Sequence, residues 1–598
     1  MHIHRNNGHM YAATNTYTIG DDGKRHYRYT HWGTVDDDKK FSPGINFFNA
    51  GIEQRKKLVF PEDWDLSAIG KKSQSEDKRG AVAYEAGDVD RQYGPTWLLD
   101  KVADETGVRD DLLRVFGGNR EIVDQVLTLA YYPFIDNLSY SHLSQWQLEA
   151  KAPTDIKMTP SVITRLNESI TEQNRMDLFR LRAARVGKDE LCGIDSTSIS
   201  TYGFNLADIR WGHNKERLPL RQTLQVVVYS LTSHMPIFYL ELPGNMPDSR
   251  TIEMILKELE HAGFKNLILI TDRGYESLKN MELYIARGQK VLTSVKASQG
   301  DVLALIKTID MSHRIPAGMQ YSKADRLFYM QSKVEYSVKG NGDNVIKADD
   351  MRINLYYSPQ REAEDVCRLQ ERLQAMREDA DEAVATRRKI PDKDAYDRAH
   401  RLLEIEYADD STVASYRDNA SAIDKRLRTS GFFASKSIGL DLDPLAAKDT
   451  YGMRDEQEKT FELQKGPLGQ DRLRVWSEAS KHGRMFICFI GLILASRVRH
   501  KRDSDEYLRT RFDSAESILR EMRTIRCVEH NGRRKFITPF VGDQVEICRA
   551  FGYEIPMGCA PTYVSKAKGS PKRGRPAKLH IPGEARSPFP VISVHFRD

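Results

Sequence analysis

The stretch LILITDRGYE, residues 267–276, decides how the centre of this chain is interpreted. Its first five residues, 267–271, are apolar or β-branched and predict a buried strand. That strand ends directly on Asp272. A single aspartate at a strand end usually only opens a turn. It gains significance if the fold brings other carboxylates beside it.

A second predicted strand, residues 191–195, ends in the same way on Asp195, in the segment LCGIDSTSIS. If the two strands are neighbours, both carboxylates emerge at one edge, where open α/β sheets bind ligands. Two hard oxygen ligands suit Mg²⁺ or Mn²⁺. A site that holds two such ions needs one more acid.

The surrounding residues predict an α/β unit. The candidate strands are 191–195, 224–231, 236–242, 267–271 and 290–295, and helical patterns fill 249–263 and 275–288. Three strands are followed by helix, strand, helix and strand. Hairpin connections that give way to βαβ crossovers imply a mixed sheet with helices packed against it.

Composition describes a large globular protein. At 598 residues the chain is expected to form two to four domains. The formal net charge is only +5, but Lys and Arg concentrate in the last third. Six scattered cysteines without a CxxC pair argue against a zinc site or a disulfide framework and fit a reducing compartment.

No segment predicts export by a secretory signal or a membrane span. The start, MHIHRNNGHMYAATN, has no apolar core region. The longest apolar run, MFICFIGLILA at 485–495, is well short of the roughly 20 residues needed to cross a bilayer. It predicts a buried core helix, and we expect no membrane partner.

Changes in pattern divide the chain into seven parts. They are an N-terminal β-hairpin module (1–60), a connector (61–94), a helical domain that could bind DNA (95–185), the first part of the α/β core (186–296), a mostly β insertion (297–440), a second part of the core (441–530) and a basic tail (531–598).

The third acid is sought in YGMRDEQEKTFELQK, residues 451–465. On a helix, Tyr451, Arg454, Glu458 and Lys465 project within roughly one 60° stripe. Such a face suits a phosphate backbone, because Arg454 and Lys465 can contact phosphates while Glu458 binds a metal ion. Spacing alone does not single out one acid, since Asp455 and Glu462 fall close to the same stripe. A solvated helix with internal ion pairs is the alternative.

These four residues also carry a resemblance. Their spacing matches the Tyr-Arg-Glu-Lys signature of insertion-sequence transposases with a DDE active site, of the IS-four group, and the chain looks most like the IS-sixteen-thirty-four branch. The segments DSTSIS (195–200) and TDRGYES (271–277) resemble the regions around that family's first and second aspartates. The resemblance covers roughly residues 95–500.

The resemblance implies a ribonuclease H-like core, interrupted by an insertion before the Glu-bearing helix. It makes Asp195, Asp272 and Glu458 the catalytic, metal-binding triad. Two Mg²⁺ ions are implied, for which Mn²⁺ could substitute. Arg454 and Lys465 would hold the DNA end, and Tyr451 would contact a terminal phosphate or an unstacked nucleotide.

The tail segment SPKRGRPAK, residues 570–578, resembles an AT-hook. In such a motif a flat Gly-Arg-Pro segment lets arginines enter the minor groove of A·T-rich DNA, which here would be the task of Arg573 and Arg575. A generic basic tail that contacts phosphates is the equal alternative.

The implied function is cut-and-paste transposition on double-stranded DNA, with cleavage at inverted terminal repeats and transfer of the 3′-OH ends into target DNA. Pairing of two ends implies a homodimer, and the family implies the prokaryotic cytoplasm or nucleoid. The alternatives are a ribonuclease H-like nuclease without strand transfer and a catalytically silent DNA-binding protein descended from a transposase.

Overall fold

The structure is a computed structural model of the chain. It describes residues 1–6, 9–19, 24–44, 46–47, 50, 54–55, 57–67, 82–83, 87–203, 205–212, 219–312, 315–339, 345–558 and 561–562. The chain divides into two compact units, one of residues 1–88 and 559–598 and the other of residues 89–558.

Both strands and helices are present in quantity. The strands are β1 (His2–Asn6), β2 (His9–Ile19), β3 (Arg25–Val35), β4 (Phe41–Pro43), β5 (Val82–Ala83), β6 (Asp88–Gln92), β7 (Leu191–Thr201), β8 (Arg221–Ser230), β9 (Met235–Pro243), β10 (Ile268–Thr271), β11 (Lys290–Val295), β12 (Gln320–Ser322), β13 (Leu327–Lys339), β14 (Val345–Tyr357), β15 (Leu403–Tyr407), β16 (Val413–Asp418), β17 (Phe432–Ile438), β18 (Arg472–Leu473), β19 (Arg526–His530), β20 (Arg533–Ile537) and β21 (Pro561–Thr562). The α-helices are α1 (Gly94–Glu105), α2 (Val108–Val115), α3 (Arg120–Asp136), α4 (Leu143–Glu149), α5 (Pro160–Ser169), α6 (Glu172–Arg185), α7 (Ile252–His261), α8 (Leu278–Ala286), α9 (Gly300–Lys307), α10 (Pro359–Ala385), α11 (Lys393–Ala399), α12 (Ala420–Leu427), α13 (Pro444–Gly452), α14 (Asp455–Lys465), α15 (Glu478–Ser504), α16 (Glu506–Arg511), α17 (Ala515–Glu521) and α18 (Asp543–Phe551).

The first unit contains a four-stranded antiparallel sheet in the order β1-β2-β3-β4. A small apolar core lies on one face of this sheet and includes Ala12, Trp32, Val35 and Phe41. The predicted N-terminal β-hairpin is therefore confirmed as β2–β3.

The second unit begins with the predicted helices. α1 and α2 are separated at Gly107, which adopts a left-handed φ of +72° that glycine tolerates without strain. Asn119 caps α3 by accepting a hydrogen bond from the backbone N–H of Ile122. Acidic residues of this part pair with arginines, as Asp111 does with Arg182, so the segment is held together by helical packing and internal ion pairs.

The central sheet has ten strands, and one half of it has the order β9-β8-β7-β10-β11. β7, β8 and β9 form an antiparallel meander, whereas β10 and β11 run parallel to β7. The two parallel strands follow α7 and α8, as crossover connections require. This is the mixed sheet that the sequence pattern predicts, and it is the ribonuclease H-like core that the family resemblance implies.

The sheet continues beyond β11 without a break. β17 pairs antiparallel with β11, and β14, β13 and β12 follow in that order. All four strands come from residues 320–438, within the predicted insertion. Leu369 and Leu373 of α10 share an apolar cluster with Leu403 of the hairpin β15–β16, and Ala422 and Ile423 of α12 pack against that cluster. The domain boundaries remain predictions.

The apolar run 485–495 lies in α15 and is buried, as predicted for a core helix. α15 packs against α3, α5 and β9, so it joins the helical part to the sheet. Among the helices of the described residues, none is long and apolar enough to span a bilayer.

Two sequence-based expectations are wrong in detail. β7 does not end at Asp195 but continues to Thr201, because the residues after Asp195 pair with β8 all the way to Arg221. Residues 451–465 do not form one helix either. α13 ends at Gly452, a poor helix former, and α14 starts three residues later at Asp455.

Candidate active site

Asp195 and Asp272 lie side by side in the central sheet. The parallel register of β10 and β7 pairs Thr271 with Ile194, which places the next residue of each chain segment opposite the other. β10 ends at Thr271, so Asp272 is the first residue after that strand, beside the part of β7 that continues past Asp195. The side chain of Asp195 is 14% exposed and that of Asp272 is 40% exposed. The expected meeting of the two carboxylates occurs.

Arg454 bridges the two aspartates from the turn between α13 and α14. Its Nη2 donates to Oδ2 of Asp195 over 3.1 Å, and its Nη1 lies 3.5 Å from Oδ1 of Asp272. Tyr451, in the last turn of α13, donates its hydroxyl to Oδ1 of Asp272 over 3.4 Å and accepts from Arg454 Nη1 over 3.2 Å. The break between α13 and α14 thus directs the side chains of Tyr451 and Arg454 toward the two carboxylates.

Electrostatics keeps Arg454 and Tyr451 in defined protonation states. Burial by itself would lower the pKa of Arg454, but the Asp195 and Asp272 carboxylates raise that pKa above its ordinary value. Burial raises the pKa of the Tyr451 hydroxyl, and Asp272 adds to the effect. Arg454 is therefore a permanent cation here, and the Tyr451 hydroxyl keeps its proton as a donor.

A third carboxylate, Asp248, borders the pair and was missed from the sequence. Ser196, the neighbour of Asp195, donates its hydroxyl to Oδ1 of Asp248 over 2.7 Å. A Cβ atom added to Gly274 would lie 3.4 Å from Oδ2 of Asp248. Asp248 begins a short 3-10 helix, Asp248–Arg250, in the segment that connects β9 to α7.

The helix α14 is seated on the sheet by amide side chains. Gln457 donates from Nε2 to the carbonyl oxygen of Val227 on β8 over 2.9 Å. A Cβ on Gly193 would approach Oε1 of Gln457 to 2.4 Å, so a larger residue there would displace the Gln457 side chain. On another side of the helix, Arg499 of α15 donates to the Glu456 carboxylate over 2.8 Å. These contacts fix the position of Arg454 at the helix start.

Glu458 lies on the exposed side of α14, one turn beyond Arg454. Asp455 and Glu462, the two alternatives, are exposed as well. Within the residues that the structure describes, no group of three or more His, Cys, Asp or Glu side chains is arranged to hold a metal ion. The assignment of the third acid accordingly stays a prediction.

The donor set that is assembled suits a hard divalent cation. Asp195 and Asp272 offer carboxylate oxygens from adjacent positions, and such oxygens are the ligands that Mg²⁺ accepts from proteins. Arg454 offsets the repulsion between the two carboxylates. A cation placed there would replace part of the charge that Arg454 now supplies, so the residues fit a metal ion.

Lys465, at the end of α14, lines a separate cavity of about 610 Å³. Arg474, Arg484 and the exposed Trp476 line the same cavity, and the Arg484 guanidinium lies 4.0 Å from the ring centre of Tyr140. Two acids, Glu168 and Asp471, line it as well, and the DNA contact of Lys465 stays a prediction. Arg573 and Arg575 lie outside the described residues.

Comparison with known proteins agrees on one family. A family model described as transposase DDE domain matches residues 187–494, which span the central sheet, α14 and most of the apolar run of α15. No curated protein matches the chain.

The chain also has weak similarity to two solved structures. One is the cryo-EM structure of a piggyBac transposase synaptic complex with hairpin DNA, at 10% identity and a TM-score of 0.31 over 72% of this chain and 79% of that chain. The other is a Mos1 transposase paired-end complex with the left transposon end, at 12% identity and a TM-score of 0.14 over 27% of this chain and 56% of that chain.

Proposed function

Because this chain belongs to the transposase DDE domain family, we propose that it is a cut-and-paste DNA transposase. It would cut at inverted terminal repeats and join the freed 3′-OH ends to target DNA. The observation that carries this proposal is the in-register pair Asp195 and Asp272, bridged by Arg454. Two adjacent carboxylates, one in the middle of β7 and one just after β10, suit a phosphodiester reaction that needs no protein nucleophile.

The reaction has two displacement steps at phosphorus. In the first, a water oxygen attacks the phosphodiester, the bond from phosphorus to the 3′ oxygen breaks, and that oxygen leaves as a 3′-OH. In the second, the 3′-OH gives up its proton, attacks a target phosphodiester and releases a target 3′-OH. Bonds and charges balance in both steps without an oxidant or a cosubstrate.

A divalent cation, Mg²⁺ with Mn²⁺ as a substitute, would be held by Asp195, Asp272 and the proposed third acid Glu458, where it would acidify a bound water and offset charge on the leaving oxygen. The remaining residues act on the DNA. Arg454 presents a permanent positive charge beside the reacting phosphate, and the protonated Tyr451 hydroxyl is a hydrogen-bond donor to a phosphate oxygen.

The partner is double-stranded DNA, bound at its ends and at the target. Lys465, Arg474 and Arg484 supply cations to the DNA end at the cavity that they line. Arg573 and Arg575 in the tail are proposed contacts in the minor groove. Because two ends must be joined in one reaction, we propose a homodimer as the working assembly.

Excision in cells tests the proposal. A marked donor segment bounded by the DNA that flanks this gene is offered to the wild type and to Asp195→Asn, with Asp409→Asn as a control because Asp409 is an exposed aspartate in a turn far along the chain. The wild type and the control should excise the segment and Asp195→Asn should not. Cutting without joining would favour the nuclease alternative, and binding without cutting would favour the silent DNA-binding protein.

A further inference from the structure

The first unit carries a two-stranded arm that its own core does not cover. β2 and β3 pair from Asn15 with Tyr29 to Ile19 with Arg25, and the residues 15–19 and 25–30 are all exposed. The apolar core lies at the base of the hairpin, around Trp32 and Phe41. An uncovered two-stranded ribbon is marginally stable in water, so its exposed side chains call for an external partner.

The charge of the sheet indicates what that partner is. β1, β2 and β3 contain three arginines and five histidines and not one aspartate or glutamate. Arg25 and Arg28 lie on the arm itself, on opposite faces of β3. Between the strands the sequence also carries Asp21, Asp22 and Lys24, so residues 15–30 have a formal charge of +1. A ribbon with basic groups on both faces, no acid along its strands and a positive total is complementary to a polyanion.

The aromatic rings of the arm are arranged against one another. Tyr17 lies 5.9 Å from Tyr27, Tyr27 lies 6.5 Å from Tyr29, and the Arg25 guanidinium lies 4.9 Å from the centre of the Tyr17 ring. Rings used in this way cover part of each other's faces. A platform for single-stranded nucleic acid needs open ring faces on which bases stack, so the arm is poorly suited to single strands.

What the arm does present is a set of hydrogen-bonding groups. Tyrosine hydroxyls and the Arg25 guanidinium emerge on one face, and Thr16, Thr18 and Arg28 alternate onto the other. Strands of five or six residues are about 15–20 Å long, and a two-stranded ribbon fits the major groove of B-DNA, which is about 12 Å wide.

We propose that the β2–β3 arm, residues 15–19 and 25–30, binds duplex DNA by entering the major groove and reads the transposon ends there. The ends as its target rest on the proposed function, whereas the binding of duplex DNA does not. The arm is then the part of the chain that finds its site, separate in its own unit from the carboxylates that cut.

Binding by the full-length protein tests this proposal. Short labelled duplexes are tiled across the DNA that flanks this gene, and the dissociation constant is measured for the wild type and for the arm variant Arg25→Ala/Tyr27→Ser/Arg28→Ala. A matched variant, Tyr321→Ser/Arg372→Ala/Arg401→Ala, makes the same changes at exposed positions outside the arm. Circular dichroism and melting temperature show whether each protein is folded.

We expect the arm variant to bind its preferred duplex at least about tenfold more weakly, and the slope of log K against log salt to fall by about 2, one per lost phosphate contact. The matched variant checks whether the loss of charge or a change in folding by itself weakens binding. Arg28→Ala alone should weaken binding less than the triple arm variant. Equal binding by a folded arm variant, a preference for single strands, or no duplex binding by the wild type would overturn the proposal.

The same proteins separate this proposal from the proposed function. Asp195→Asn should bind the duplex as the wild type does, because the arm and the carboxylates are different sites. If binding depends on the arm while no cleavage depends on Asp195, the arm proposal stands and the transposase proposal fails. If cleavage depends on Asp195 while binding does not depend on the arm, the transposase proposal stands and the arm proposal fails.

Discussion

Arg454 donates a hydrogen bond to Asp195 over 3.1 Å, although the two residues are 259 positions apart in the chain. Both side chains are largely buried, with 8% of Arg454 and 14% of Asp195 exposed. The contact joins the start of α14 to the middle of β7, and it sets the position from which Glu458 projects one turn later. Its consequences can be measured.

Replacing Arg454 should expose the mutual repulsion of the two carboxylates. We expect Arg454→Gln to lower the melting temperature and to make it more dependent on Mg²⁺ than that of the wild type, because a bound cation would then supply the missing charge. Thermal melting during a Mg²⁺ titration measures this.

The control for that titration is Arg182→Gln, which removes a buried arginine from a single aspartate, Asp111, in the helical part. It should lose stability without gaining a response to Mg²⁺. Equal Mg²⁺ dependence of the wild type and Arg454→Gln would show that no cation binds where Arg454 now bridges the carboxylates.

Asp248 accepts a hydrogen bond from the Ser196 hydroxyl, and through Ser196 it should position the neighbouring Asp195. We expect Ser196→Ala and Asp248→Ala each to slow strand cleavage by about 10–100-fold, the range found when a group that orients a ligand is lost. Asp248→Asn keeps an acceptor oxygen and should retain most of the rate.

Single-turnover cleavage of a labelled end duplex, with the rate compared against Mg²⁺ concentration, distinguishes the two possible roles of Asp248. If Asp248→Asn is as slow as Asp248→Ala and needs far more Mg²⁺, the negative charge matters and Asp248 is itself a ligand.

Glu458 is the acid that should complete the pair. Glu458→Gln should abolish excision of the marked donor segment, whereas Glu462→Gln, one turn later on the same helix, should leave it within about threefold of the wild type, since surface changes are usually near neutral. Excision is counted in cells that carry each variant at matched protein levels. Loss of excision in Glu462→Gln with survival in Glu458→Gln would move the role to Glu462.

A pair of stacked histidines should make stability depend on pH. The rings of His234 and His500 lie 3.7 Å apart. Burial has the largest effect on the pKa of His500 and the charge of His234 the next largest, and together they lower this pKa to about 4. Unfolding restores a pKa near 6.5, so the unfolded state binds more protons between these values. The stabilising effect of a neutral His500 is therefore present above pH 6.5 and is lost as the pH falls toward 4.

Urea unfolding across that pH range measures the effect. The free energy of unfolding of the wild type should fall more steeply between pH 6.5 and pH 4 than that of His500→Gln, because carboxylates contribute equally to both proteins. Parallel curves for the two proteins would contradict the role of His500.

Much of the fold followed from periodicity. The strands of the α/β unit, the helices on either side of Gly107 and the buried helix around 485–495 were predictable because burial dictates their apolar spacing. The extension of the sheet by β17, β14, β13 and β12 was not, because pairing between strands distant in sequence leaves no local signal.

The candidate site was predictable in part. Asp195 and Asp272 follow runs of buried residues that locate them in the sheet. The helix break after Gly452 was not predicted, because Tyr451 and Arg454 also satisfy helical spacing. Only their contacts with the carboxylates reveal the turn. Asp248 was not predicted because it begins a 3-10 helix of only three residues, which is too short for a helical or strand period to show.

The most direct measurement is cleavage of end duplexes by purified protein in Mg²⁺, with the wild type, Asp272→Asn and the exposed-site control Asp409→Asn side by side. We expect the wild type and Asp409→Asn to release 3′-OH ends and to join them to a target duplex, and Asp272→Asn to bind the same duplexes without cutting. Cutting by Asp272→Asn at the wild-type rate would contradict the assignment of this carboxylate pair as the active site.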